Sequence, residues 1–191
     1  RSVTLKNVAA TTMQAMKFPG APWGVKMACG ENPKRVYGGK GGPATRMGNM
    51  AGHRAAFIDA AEYVRKNSGD GKRGEANAPK RDLKLETLGG VLEGEIIAHI
   101  HCYRADEMTN MLDLANEFGF KVGTFHHGVE AYKIADRLGQ EGVCAALWAD
   151  WWGFKMEAFD GIQENIAIVD RAPGGCAIVH SDSDEGIQRL N

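Results

Sequence analysis

From residue 95 onward the chain repeats one pattern: a short apolar run ending in histidine or tryptophan, then a stretch with helical periodicity. The runs cover residues 95–101, 121–127, 143–148 and 176–180, and a similar one occupies residues 23–30. Between and beside them, residues 82–92, 105–117, 130–138 and 156–170 read as helices, and apolar residues recur at three- and four-residue intervals over 47–66. Strands alternating with helices, each strand apolar enough to be covered on both faces, predict βαβ units and a parallel sheet. The repeat length is close to the ~30 residues per unit of a (β/α)8 barrel. Five clear strands, with residues 2–5 as a short additional one, fall short of the eight that close a barrel. The expected fold class is therefore α/β, a partial (β/α)8 barrel. Further expectations are a helix over 8–17, a Gly- and Pro-rich loop over 31–46, and an exposed flexible insertion over 67–81, which has almost no apolar anchor.

Composition removes several function classes. With 23 Lys and Arg against 24 Asp and Glu, the 191-residue chain carries a formal charge of −1, which offers no basic stripe for nucleic acid. No run of about 18 apolar residues is present, so no membrane span is expected. No charged, apolar leader opens the chain, and the cellular compartment stays open. Four cysteines are too few for a disulfide scaffold, and none stand at the CxxC spacing of a zinc ribbon.

The polar residues are informative because of where they fall. In parallel α/β proteins the C-terminal strand ends and the loops after them form one shared mouth. Lys26 lies in the first run, His99 and His101 end the second, His126 and His127 the third, Trp148 and Asp150 the fourth, and His180 and Asp182 the last. Five of the six histidines thus gather at strand ends, while His53, within a helix, reads as structural. Converging imidazoles and carboxylates suit a divalent metal. His99 and His101 are two apart and share a face, so either could be a ligand. His126 and His127 are adjacent and should point to opposite faces, with His127 favoured because Gly128 lets the chain turn away directly after it. Lys26 is costly as a buried ammonium unless it forms a Schiff base, pairs with an acid such as Glu31, or is carboxylated; it could also snorkel at a strand edge. Asp182 could bind metal and act as general base, or cap a helix starting at Gly186, with Ser183 or Asp184 sharing the capping role.

On these residues the chain resembles the C-terminal two-thirds of a metal-dependent amidohydrolase barrel, of the imidazolonepropionase-like and Xaa-Pro dipeptidase-like branch. Residues 25–28 resemble the family's fourth strand, 98–107 its fifth strand and following helix, 127–133 its sixth and 179–183 its eighth. The resemblance implies that Lys26, carboxylated, bridges two metals, that His99 and His127 bind the second metal, and that Asp182 binds metal and shuttles a proton. Glu31 is an alternative to Lys26. His101 becomes a substrate contact, and Arg104, Tyr103 and Trp148 are candidates to face the substrate. The family's first-strand His-x-His pair, its β-sandwich and the helices after strand eight have no counterpart here. The resemblance thus implies an incomplete barrel over residues 1–191 and at best weak metal binding by this segment alone.

The expected reaction is hydrolysis of an amide, peptide or cyclic-amide C–N bond by a water activated by one or two divalent metals, with zinc the first choice. Asp182 would take the water's proton, and His101 or His180 would steady the oxyanion. The substrate would be a small molecule or dipeptide-like. The alternatives are a deaminase-type reaction on a heterocycle and a non-catalytic remnant, whose open sheet edges would favour a homo-oligomer.

Overall fold

The computed structural model describes residues 2–67 and 80–190, so most of the insertion expected at 67–81 lies outside the described residues. Five strands, β1 (Trp23–Ala28), β2 (Ile96–His101), β3 (Val122–His126), β4 (Cys144–Trp148) and β5 (Ala177–His180), form one sheet in the order of the sequence. Every neighbouring pair is parallel. This singly wound order is that of a (β/α)8-barrel arc, as the strand–helix alternation predicts. The helices are α1 (Met13–Met16), α2 (Glu31–Tyr37), α3 (Arg46–Asn67), α4 (Leu83–Leu92), α5 (Ala105–Phe118), α6 (Ala135–Glu141) and α7 (Asn165–Arg171).

Burial on β2 alternates strictly. Ile96, Ala98 and Ile100 are buried in one core with Phe125, Leu147 and the α5 residues Met108, Met111, Leu112 and Leu114. Ile97, His99 and His101 face the other side and are only partly covered. The strands were expected to be apolar on both faces; here one face packs against helices and the other carries the histidines. Period-two alternation puts hydrophobic burial and polar chemistry on opposite sides of one sheet.

Four local expectations are corrected. The helix over 8–17 shrinks to α1, because Leu5 bridges Lys17 and the Lys6 N–H donates to Met16 O (2.8 Å), which keeps the flanking chain extended. Residues 2–5 make only isolated antiparallel bridges, Ser2 to Gly24 and Leu5 to Lys17. The expected loop at 31–46 contains α2 and a 3-10 turn, Gly38–Lys40. Pro33 fits the first turn of α2, where no intrahelical N–H is needed. The cap is supplied from far away: the Glu31 N–H donates to Glu157 Oε1 (2.9 Å). The helices expected at 130–138 and 156–170 each break into a 3-10 turn and a shorter α-helix, α6 and α7.

The four cysteines form two disulfides, Cys29–Cys102 and Cys144–Cys176. Each joins the flanks of neighbouring parallel strands, where equivalent ends lie side by side. Cys29 and Cys102 follow directly on β1 and β2, at the sheet end that carries the histidines. No described helix is long and apolar enough to cross a membrane.

Candidate metal centre

Parallel register brings the polar strand ends together. Lys26 pairs with His99, His101 with His126, and Trp148 with His180. The chain leaves β3 through His127, the one described non-glycine residue with positive φ (61°). This corrects the expectation that only one of His126 and His127 can reach the mouth: a left-handed residue at the strand end breaks the alternation. The His126 ring lies 5.6 Å from that of His99, and the His127 ring 4.8 Å from that of His101.

The unusual backbone at His127 is supported on both sides. Its N–H donates to Ala146 O at 2.8 Å, and the Val129 N–H donates back to His127 O at 2.6 Å. From the start of α7, the buried Asn165 side chain donates to Gly128 O (2.9 Å) and Val129 O (3.1 Å) and accepts from the Tyr132 N–H (2.9 Å). Asn165 had no signal in the sequence, because its partners are backbone groups more than 30 residues away.

Asp182 sits in the loop after β5. Ser181 Oγ donates to Asp150 Oδ2 (3.2 Å), the Ser183 N–H donates to Ser181 Oγ (3.2 Å), and the Gly186 N–H donates to Ser183 Oγ (2.9 Å). Ser183 therefore takes the capping role, and the Asp182 carboxylate is left facing the histidines. Asp182 Oδ2 lies 3.6 Å from His127 Nδ1, and its Oδ1 lies 3.4 Å from His180 Nδ1. Ligating atoms of His127, His180 and Asp182 all lie within 4.8 Å of one another.

The arrangement is electrostatically tense. Burial first, then repulsion by Lys26 and neighbouring imidazoles, pushes His101, His126 and His127 down to about 4. His99 is lowered by the same two causes. Neutral imidazoles with free lone pairs are what a metal requires. His127 Nδ1 and His180 Nε2 are buried and have no hydrogen-bond partner, a cost that a cation would relieve. Two imidazoles and a carboxylate therefore fit a borderline divalent ion.

The other predicted residues divide into those at the centre and those outside it. Lys26 is exposed on the open face of β1; partial desolvation still lowers its ammonium, and Asp182 opposes the shift. Of the β2 pair, His101 lies in the field of Asp182 and against the His127 ring, whereas His99 sits one step deeper beside His126 Nε2 (3.4 Å). His101 Nε2 also meets the Asn32 amide at 2.9 Å, a contact that sequence reasoning missed because α2 was read as loop. Tyr103 and Trp148 border the cluster, with ring centroids 6.2 and 4.6 Å from His127. Arg104 points away, held by Asp106 at 3.0 Å on the first turn of α5. Glu31 is not beside Lys26; it pairs with Lys155 at 3.4 Å. His53 meets Ala28 O (3.0 Å) and is structural, as expected.

No family model matches the chain. It is 36% identical over 149 residues to the amidohydrolase tasK of Hapsidospora irregularis, an alignment covering 72% of this chain and 15% of that protein. Its fold is similar to the crystal structure of an amidohydrolase from Thermotoga maritima MSB8, with a TM-score of 0.79 and 32% identity, over 95% of this chain and 46% of that one. The chain thus spans less than half the length of either relative. By sequence and by fold, the chain is similar to proteins named amidohydrolases.

Proposed function

We propose that this chain contributes much of the metal centre of a hydrolase that cleaves amide-type C–N bonds. The convergence of His127, His180 and Asp182 carries the reading. When bound there, a divalent cation, with zinc the first choice, would polarise the scissile carbonyl and make water a better nucleophile near neutral pH. Similarity to proteins named amidohydrolases supports hydrolysis as the reaction class. Placement in the imidazolonepropionase-like and Xaa-Pro dipeptidase-like branch rests on the motif residues around Lys26, His127 and Asp182.

In this reading His127 and His180 offer neutral imidazole nitrogens, and Asp182 offers a carboxylate that both ligates and takes the proton of the attacking water. As the water oxygen bonds to the carbonyl carbon and the C–N bond breaks, Asp182 returns the proton to the leaving nitrogen. His101 is close enough to His127 to steady the oxygen that gains charge. Lys26 faces the same open side; its ammonium is held below the ordinary lysine value, which raises the share of free amine able to add CO2 to give a carbamate and one proton, and so a further anionic ligand. Lys26, His99, His127 and Asp182 remain the ligand set that the family resemblance implies, and the geometry favours His101 over His99 on β2.

The test is release of amine from small N-acyl amides by protein supplied with zinc and bicarbonate. Turnover that is lost in Asp182→Asn supports the reading. Turnover equal in Asp182→Asn contradicts it.

A further inference from the structure

Beside the His/Asp cluster stands an aromatic group to which the hydrolytic steps above give no part. Trp148, at the end of β4, is tilted 35° against His127. Tyr103 meets Trp148 edge-on at 5.3 Å. The loop after β4 then folds back over both: Trp151 lies 5.2 Å from Trp148, and Phe154 lies 5.3 Å from Trp148 and 6.3 Å from Tyr103. The reversal occurs at Gly153, which adopts φ 59° and donates its N–H to Ala158 O at 3.0 Å. Lys155 pins the loop, its ammonium 4.3 Å above the Tyr103 ring and 3.4 and 3.6 Å from Glu31 and Glu157.

Two properties of this aromatic group limit what it can hold. Lys155, the cation packed against Tyr103 and Phe154, is already matched by two carboxylates, so it offers little charge to an ionic substrate group. Phe154 is 46% exposed and Trp151 only partly covered, so these two present aromatic surface to solvent, whereas Trp148 and Tyr103 are buried in a small core cluster behind them. Open aromatic surface beside a cluster of polar side chains is the make-up of a small-molecule subsite.

We propose that Trp151 and Phe154, backed by the buried Trp148 and Tyr103, form a specificity wall selecting amides that carry an uncharged aromatic group next to the scissile bond. The choice of amides rests on the hydrolase reading above; the aromatic preference rests on the wall alone. Stacking against it favours aromatic over aliphatic ligands by about tenfold.

The experiment measures equilibrium binding of N-acetyl-L-phenylalaninamide, N-acetyl-L-alaninamide and N-acetyl-L-glutamic acid amide to the chain, metal-free and zinc-loaded, by calorimetry and tryptophan fluorescence. The expected result is about tenfold tighter binding of the phenylalanine amide than of either other probe. Phe154→Ala reduces that preference to within about threefold, and Phe154→Leu gives an intermediate value, with zinc stoichiometry unchanged in both. Equal binding of the three probes, no binding of any, or an undiminished preference in Phe154→Ala overturns the proposal. Zinc binding through His127 without aromatic preference removes the wall and leaves the hydrolase reading standing. Aromatic preference in a chain that binds no zinc removes the hydrolase reading and leaves the wall.

Discussion

His127 Nδ1 stands 3.6 Å from one oxygen of Asp182, and His180 Nδ1 stands 3.4 Å from the other. One carboxylate thus faces imidazoles from two strands separated by β4, and each of those imidazoles has a buried nitrogen without a hydrogen bond. A protein rarely leaves such groups unsatisfied without a ligand to satisfy them.

The geometry reverses the roles that the family resemblance implies for two histidines, bringing His180 to the carboxylate and leaving His99 beside His126. His180→Gln should weaken zinc affinity by at least tenfold, whereas His99→Gln, which changes a residue deeper on β2, should alter it by less than about threefold. Competition with a chromophoric chelator at neutral pH measures both. The reverse order would restore His99 as the ligand.

The Asp182 loop depends on a glycine. A Cβ at Gly186 would collide with Ser181 Oγ and Asp150 Oδ2, the pair that folds the loop. Gly186→Ala should therefore reduce zinc affinity about tenfold or more while far-UV circular dichroism stays unchanged, because the loop lies outside the packed core. Unchanged affinity would mean that this turn does not position Asp182.

Asn165 holds the turn that follows His127 through three hydrogen bonds, two donated and one accepted. Asn165→Ala should cost about 3 kcal/mol in urea unfolding, since it also strands buried carbonyls. Asn165→Asp should cost more, because it keeps the acceptor for Tyr132 and turns a carboxylate oxygen toward two carbonyl oxygens. A loss under about 1 kcal/mol for both would show that the left-handed His127 is held by other means.

Metal-free protein should lose stability in acid over a defined window. His101, His126 and His127 titrate near 4 when folded, below the ordinary value of 6.5. Between those values the unfolded chain binds more protons than the folded one, so unfolding free energy falls as pH drops from about 6.5 toward 4. Their contribution is fully present above that window. Thermal melts at successive pH values check the direction; a flat profile across the window would contradict the burial of these rings.

Much of the fold is legible in the sequence because its largest elements follow from local pattern. The runs ending at His101, His127, Trp148 and His180 became strands β2 to β5, and their parallel order follows from alternation with helices. What the sequence hid depends on distant partners. Helix α2 is capped by Glu157, which lies 126 residues away from Glu31. The positive φ of His127 defeats an alternation rule that assumes extended backbone, and only a backbone held by Ala146 and Asn165 makes it tenable. The role of Arg104 was inferred from position at a strand end, yet Asp106, two residues on, takes its guanidinium. Among the strand-end histidines, His180 was read only as an aid to the oxyanion. Its spacing of two from Asp182 was the available signal that both flank one site.

The central claim is that His127, His180 and Asp182 hold a divalent cation, and zinc stoichiometry tests it most directly. Purified protein is dialysed to equilibrium against zinc in bicarbonate-containing buffer at pH 7.5, and bound metal is measured by mass spectrometry as the excess over the dialysate. We expect at least one zinc per chain, lost in the double variant His127→Gln and Asp182→Asn. No zinc above background in the unmodified chain, or the same content in the double variant, would contradict the claim.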